Sequence, residues 1–171
     1  GTGIWVADGS YNKKIAPFVS GAGWIFYCRR RKLRLMGCFF ERSPKAGSYR
    51  GELVGLLACH TLLSALEEYF HITSGGTKVC CDSSSALYKS KEFRRRIPTG
   101  AKHADILRCL RNIKVHFKTS LEYEWVASHQ DDLKLWHQLT IEQQLNCMAD
   151  SLAKQAVHQS LDPSRSHSMD Q

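Results

Sequence analysis

The fold is decided by residues 78–89, which read KVCCDSSSALYK. The first five residues form a short apolar run that ends in an acid, Asp82, which is typical of a buried strand. The three serines that follow, and the pattern through Lys89, predict a turn into a short helix. The elements on either side of this stretch then determine how its strand pairs.

The segments upstream predict three strands and one long helix. Residues 4–8 form a short apolar run that ends at the turn signal Asp8-Gly9-Ser10. Residues 23–28 and 32–41 are rich in β-branched and aromatic residues and are joined by a basic turn, which predicts a hairpin. From Ser48 the apolar residues recur with a helical period, and Ser48 is a suitable N-cap.

The segments downstream predict two helices and one strand. We expect helices over residues 104–113 and 141–158, and a strand over residues 121–128. The order β-β-β-α-β-α-α-β-α predicts an α/β fold with a five-stranded mixed sheet. Three antiparallel strands are extended by two parallel ones, with helices on the faces. We expect a single domain over residues 1–158 and a disordered tail over residues 159–171.

Charge and composition indicate a polyanionic partner. The chain has 171 residues, 43% of them hydrophobic, and a formal net charge of +8. The basic residues concentrate at residues 29–34 and 91–114, the second stretch holding eight basic and two acidic residues. Such clusters favour binding to a phosphate backbone, although each alone is also compatible with a solvated face.

The remaining composition predicts the chain's surroundings. No run approaches the ~18–20 apolar residues of a membrane helix, so we expect no membrane partner. The start, GTGIWVADGS, has neither an initiator Met nor a signal-peptide pattern, which favours an excised domain. The seven cysteines include no CxxC pair, so we expect free thiols in an intracellular, reducing compartment.

Four acids stand where an acid is poorly suited to folding. Asp8 and Asp82 each end a buried strand, Glu52 lies near the start of the long helix, and Asp150 lies in the last helix. If the two strands pair in parallel, Asp8 and Asp82 become neighbours at one edge of the sheet. Such carboxylates repel each other unless cations lie between them, and oxygen ligands favour Mg²⁺ or Mn²⁺. Taken singly, each acid is also compatible with a turn, a helix-dipole acid or a surface charge.

These residues together resemble the type 1 ribonuclease H domain. The resemblance rests on Asp8-Gly9-Ser10 after a strand, Glu52 opening a helix, and Asp82-Ser83 closing a strand. It continues with Ser128-His129 after Glu-Trp-Val, and with Asn146 four residues before Asp150. It covers residues 4–158 and implies cleavage of the RNA strand of an RNA–DNA hybrid, with two Mg²⁺ ions or Mn²⁺ in their place. The implied metal ligands are Asp8, Glu52, Asp82 and Asp150, and the implied role of His129 is proton transfer and product departure.

Two departures from the cellular members of this family indicate one group within it. The segment between His129 and Asp150 is long and carries Asp131 and Asp132, either of which could be mistaken for the fourth ligand. The basic segment before residue 104 is interrupted by a proline and a glycine. These features resemble the ribonuclease H domain of a retroelement reverse transcriptase, which implies that the chain works within a larger polyprotein.

Several further residues are predicted to hold the hybrid. Three groups suit the RNA strand: the backbone of Gly9 and Ser10, the Arg50 side chain, and the backbone amides of Ser83 and Ser84. The last two lie at a helix N-terminus, which is a natural phosphate site. A run of one aromatic and three arginines suits the DNA strand. The predicted binding residues are Gly9, Ser10, Ser48, Arg50, Ser83, Ser84, Phe93, Arg94, Arg95, Arg96 and Asn146. For Ser48 a capping role is the alternative.

Other aromatic and metal-binding residue types are predicted to be structural. We interpret His60 as a hydrogen-bonded core histidine, and Trp24 and Trp125 as core residues. A zinc site would need unrelated long-range geometry among the cysteines and histidines. A chain of this length is also too short for the two lobes of an actin-like ATPase.

Two other functions remain open from the sequence. One is a DNA nuclease or transferase of the same fold, such as a resolvase or integrase core. The other is a non-catalytic module that binds hybrids or RNA.

Overall fold

The computed structural model describes residues 2–92 and 96–162 and contains the predicted order of strands and helices. The strands are β1 (Thr2–Ser10), β2 (Val19–Cys28), β3 (Leu33–Arg42), β4 (Gly76–Cys81) and β5 (Ser120–Trp125). The helices are α1 (Ser48–Tyr69), α2 (Ser84–Lys91), α3 (Ala104–Lys114) and α4 (Ile141–Gln159). Two short 3-10 helices, Gln130–Asp132 and Trp136–Gln138, lie between β5 and α4. Of the predicted binding residues, Phe93, Arg94 and Arg95 lie outside the described residues, as does the predicted tail from residue 163.

The sheet has the predicted topology. Its strand order is β3-β2-β1-β4-β5. The pairs β1–β2 and β2–β3 are antiparallel, and the pairs β1–β4 and β4–β5 are parallel. In the β1–β4 register Val6 lies opposite Cys80, so Asp8 and Asp82, two residues further on, lie at the same edge of the sheet. The prediction of a five-stranded mixed sheet is confirmed.

Alternation along β1 explains how both faces of the sheet are covered. Trp5 and Ala7 pack into a core with α1, α2 and α3. Ile4 and Val6 point the other way, into a second core with α4. Successive side chains of a strand alternate between faces, and a central strand buried on both faces therefore reads as a continuous apolar run.

Several boundaries differ from the prediction; β2, for example, begins at Val19 rather than at residue 23. The N-cap of α1 is Gly47, so Ser48 is the first helical residue and does not cap. No side chain caps α1; Ser20 instead fixes the N-cap residue, because its hydroxyl accepts from Gly47 N at 3.0 Å and donates to Gly47 O at 3.2 Å. The strand expected over residues 121–128 ends at Trp125. The ordered body also extends past residue 158, since Ser160 is buried and its carbonyl accepts a 2.7 Å bond from Arg42 Nη2.

No helix among residues 2–92 and 96–162 is long and apolar enough to cross a membrane.

Candidate active site

Close backbone approach at Gly9 brings the first two acids together. A Cβ at Gly9 would lie 2.3 Å from the backbone nitrogen of Glu52 and 2.5 Å from the carbonyl carbon of Gly51. These distances are shorter than any real Cβ contact, so only glycine lets the first turns of α1 press against the end of β1. Asp8 and Glu52 therefore meet where β1 and α1 touch.

Asp8 and Glu52 are buried carboxylates within hydrogen-bonding reach of each other. Asp8 is 4% exposed and Glu52 is 8% exposed. The backbone N–H of Gly9 donates to Asp8 Oδ1 at 2.7 Å. Asp82 follows the end of β4 and is half-buried beside them. Asp8 and Asp82 thus share one edge of the sheet, as the parallel pairing predicted, and Glu52 joins them from α1.

Burial and mutual repulsion oppose ionisation of this cluster. Burial, followed by the charges of Glu52 and Asp82, raises the pKa of Asp8 far above its usual range. Burial and the charge of Asp82 raise the pKa of Glu52 to about 7. Burial also raises the pKa of Asp82, with the charge of Asp150 acting in the same direction. Because their pKa values are raised, these carboxylates are stable either when they are protonated or when cations lie beside their ionised forms.

Asp150 approaches the cluster from α4 on the opposite face of the sheet. A Cβ at Gly23 would lie 2.2 Å from the carbonyl oxygen of Ala149, so this glycine permits the close packing of α4 on β2. The charge of Asp150 raises the pKa values of both Asp8 and Asp82, which places it within electrostatic reach of each. Its carboxylate pairs with Lys154 Nζ at 2.6 Å.

The two neighbouring acids are placed differently. Asp131 lies in the 3-10 helix Gln130–Asp132, where its Oδ1 accepts a 3.3 Å bond from Cys147 Sγ. Asp132 is exposed in the same turn. Asp150, rather than Asp131 or Asp132, is among the main charges that raise the pKa values of Asp8 and Asp82. The geometry therefore favours Asp150 as the fourth member of the cluster.

His129 stands at the open side of the cluster. It is exposed and has a left-handed backbone conformation (φ 50°) immediately before the turn Gln130–Asp132. Its positive charge lowers the pKa of Asp82 and so acts against the effect of burial. An exposed imidazole next to buried carboxylates can pass protons between them and the solvent.

Sequence reasoning missed the role of Cys81. Its thiol donates to Glu52 Oε2 at 3.1 Å, and its sulfur accepts from Ser83 N at 3.4 Å. Potential ligand atoms of Glu52, Cys81 and Asp82 all lie within 4.8 Å of one another. Alternation along β4 could have indicated this contact. Cys81 points to the same face as Val79, and that face packs on α1, which carries Glu52.

Most of the predicted substrate-binding residues near the cluster lie where a strand ends or a helix begins. Gly9 and Ser10 form the end of β1. Ser83 is the N-cap of α2, its hydroxyl accepting from Ala86 N at 3.3 Å, and Ser84 begins that helix. Asn146 lies one turn before Asp150; it is 1% exposed, and among the described residues its Nδ2 has no hydrogen-bond partner. Arg96 is exposed.

The structure gives Arg50 a different place from the predicted one. Its side chain is 3% exposed rather than projecting towards a ligand. It donates to both carboxylate oxygens of Glu41, at 2.5 and 2.6 Å, and to Asp105 Oδ2 at 2.7 Å. It also lies 3.2 Å from His103 Nδ1. Its ion pairs therefore connect α1 to β3 and to the start of α3. The prediction that Arg50 binds the substrate does not fit this position.

Of the three residues predicted to be core, two are. His60 is buried, with Nδ1 2.6 Å from Leu56 O and Nε2 2.7 Å from the Tyr123 hydroxyl. Burial lowers its pKa to about 4, so it stays neutral. Trp24 packs against the core, its ring centroid 6.4 Å from that of Trp5. Trp125 is not a core residue, because it is 57% exposed where β5 leaves the sheet.

Comparison with known proteins finds similarity at the level of structure. No protein-family model matches the chain, and no curated protein matches its sequence. The N-terminal RNase H domain of a Mycobacterium tuberculosis protein is similar over 94% of this chain and 99% of that chain, with TM-score 0.59 and 18% identity. LC11-RNase H1, isolated from compost and solved with an RNA/DNA hybrid, is similar over 94% and 99%, with TM-score 0.67 and 14% identity.

A viral protein gives a third comparison. The protease-reverse transcriptase of prototype foamy virus is similar with TM-score 0.63 and 18% identity, over 91% of this chain but 21% of the viral one. All three comparisons cover more than nine tenths of this chain, and therefore its sheet and helices. The chain therefore has the fold of type 1 ribonuclease H.

Proposed function

We propose that this domain is a metal-dependent endoribonuclease that cleaves the RNA strand of RNA–DNA hybrids. The observation that carries the proposal is the convergence of Asp8, Glu52 and Asp82 at one sheet edge, with Asp150 facing them from α4. A fold does not by itself define a function, so the argument rests on this site.

The chemistry of the cluster fits two divalent cations. Four carboxylates supply hard oxygen ligands of the kind that Mg²⁺ prefers, and Mn²⁺ can substitute. The raised pKa values of Asp8, Glu52 and Asp82 mean that positive charge would stabilise their ionised forms. Lys154 pairs with Asp150 at 2.6 Å, and one such cation neutralises only part of the charge of four carboxylates.

The residues divide the work by position. Asp8, Glu52 and Asp82 would hold the ions from the sheet edge and the start of α1, and Asp150 would hold one from the solvent side. When bound, two such ions activate a water for in-line attack and stabilise the departing 3′-oxygen, which leaves 3′-hydroxyl and 5′-phosphate ends. The packing at Gly9 and Gly23 fixes the separation of the four carboxylates before substrate arrives.

His129 would assist by moving protons. Its exposure and its electrostatic contact with Asp82 suit exchange of a proton between the site and solvent. Histidine is the side chain that most often performs such transfers in enzymes. Because it stands outside the buried carboxylates, we assign it proton transfer and product departure rather than metal binding.

The proposed substrate follows from charge and from the comparisons. A net charge of +8 favours a nucleic acid, and LC11-RNase H1 was solved with an RNA/DNA hybrid. The foamy virus protein carries a similar domain within a reverse transcriptase. We therefore propose a retroelement origin, with the rest of a reverse transcriptase polyprotein as partner. The seven cysteines form no disulfide within the described residues, which supports a reducing, intracellular compartment.

The test compares labelled RNA–DNA hybrid, duplex DNA and duplex RNA, each incubated with the protein and Mg²⁺. We expect cleavage of the RNA strand of the hybrid alone, and loss of cleavage in Asp82→Asn with folding intact. Asp132→Asn, an exposed acid outside the cluster, is the matched control and should remain active. Cleavage of duplex DNA would favour a DNA nuclease, whereas binding without cleavage would favour a non-catalytic module. Activity of a folded Asp82→Asn protein would overturn the assignment of the site.

A further inference from the structure

Trp125 is fixed at the rim of the acidic cluster. It is the last residue of β5 and lies opposite Cys81 in the β4–β5 register, one residue before Asp82. Its indole N–H donates to the backbone carbonyl of Asp82 at 2.7 Å. The ring is therefore held beside a proposed metal ligand.

The exposure of this ring has no structural benefit of its own. Trp125 is 57% exposed, although Tyr123, two residues earlier on the same face of β5, packs against the core. A tryptophan usually buries its large apolar surface. The hydrogen bond already restricts the rotation of the indole. A ligand that covers its free face therefore causes little further loss of side-chain conformational entropy.

We propose that the exposed face of Trp125 packs against the ribose of the nucleotide next to the scissile phosphate, a contact that rests on the proposed function. The adjacent Asp82 places the ring within one nucleotide of the reacting phosphate. In an A-form-like duplex the minor groove is wide and shallow and displays the sugars, whereas the bases remain paired. The ring therefore meets sugar rather than a base face, and the contact is independent of sequence.

The experiment measures hybrid binding without cleavage. Fluorescence anisotropy of labelled hybrid is recorded with Ca²⁺ on the Asp82→Asn background, which leaves the backbone carbonyl of residue 82 in place. We expect Trp125→Ala to weaken binding about tenfold, a typical effect of removing one aromatic contact to a nucleic acid. Trp125→Phe keeps an aromatic face and should bind within about threefold of its parent. The loss should be the same for hybrids of unrelated sequence.

Tryptophan emission gives a second readout that does not depend on the stability of the alanine variant. Hybrid should quench emission of the parent, and much of this quenching should vanish in Trp125→Phe. Trp136→Phe, which removes another exposed tryptophan, is the matched control and should retain it. Binding of Trp125→Ala within twofold of its parent, or unchanged quenching in Trp125→Phe, would overturn the inference. Failure of every variant and the parent to bind hybrid would instead overturn the proposed function.

Discussion

Replacing Glu52 by glutamine should make the protein more stable and inactive. Glu52 is 8% exposed and lies next to Asp8 and Asp82, so its charge is repelled in the folded state. Glutamine has nearly the same shape, and its Oε1 can still accept the bond from the Cys81 thiol. The substitution thus removes the charge while keeping the packing.

The size of the effect follows from the raised pKa. The pKa of Glu52 rises from an ordinary 4.5 to about 7, and each pH unit corresponds to about 1.4 kcal/mol. The folded state therefore holds its proton more tightly than the unfolded chain, and stability falls as pH rises from about 4.5 to about 7. Above that window the ionised carboxylate costs on the order of 3 kcal/mol. We expect Glu52→Gln to recover about 1–3 kcal/mol at pH 8 and close to nothing at pH 4.

Thermal and urea unfolding with a chelator present, at pH 4, 6 and 8, measure this difference. At about 2–4 °C per kcal/mol for a chain of this size, the gain in Tm at pH 8 is readily measured. Glu67→Gln is the matched control, because Glu67 is a similarly buried acid on α1 that accepts bonds from Lys118 N and Thr119 N. It should lose stability at pH 8. Added Mg²⁺ should raise the Tm of the wild type more than that of Glu52→Gln. A Glu52→Gln protein that is less stable at pH 8, or whose gain does not vary with pH, would refute the reasoning.

Two further predictions concern proton transfer and the DNA strand. His129→Ala should lower the saturated cleavage rate substantially while the Mg²⁺ concentration for half-maximal rate stays similar; a large shift in that concentration alone would make His129 a ligand. Replacing Arg94, Arg95 and Arg96 with alanine should reduce the slope of log binding constant against log salt by up to about 2–3, since each phosphate contact contributes ~0.7–0.9. An unchanged slope, measured with Ca²⁺ on an inactive background, would mean that these arginines only form a solvated face.

The topology could be predicted because it depends on local patterns. The apolar runs of β1 and β4 are continuous because both strands are covered on both faces, and α1 shows its period because one face is buried. Asp8 and Asp82 could be brought together because strand order fixes which ends meet, whereas Glu52 and Asp150 lie on helices and are predicted from the resemblance to type 1 ribonuclease H. Neither conclusion required knowledge of a side-chain contact.

What could not be predicted depends on long-range side-chain pairing. In the sequence, Arg50 is a cation close to Glu52 and suits ligand binding. In the structure, Glu41 on β3 and Asp105 on α3 accept the hydrogen bonds of its guanidinium. Nothing within a few residues of Arg50 reveals these partners. Trp125 reads as a core residue for the same reason, since only the end of β5 and the position of Asp82 leave it exposed.

The acidic cluster shows why stability and function oppose each other at this edge. Asp8 and Glu52 lie at a tight backbone contact between β1 and α1, where no side chain larger than hydrogen fits at Gly9. The surrounding core, including Ala7, Leu53 and Leu56, is fully buried and cannot move apart to relieve the repulsion. The carboxylates are therefore held close before any cation binds, and the free energy that ion binding releases includes the relief of this repulsion. A looser edge would fold more stably without ions and bind them less tightly, so the strain at Asp8 and Glu52 is the physical basis of the metal affinity we propose.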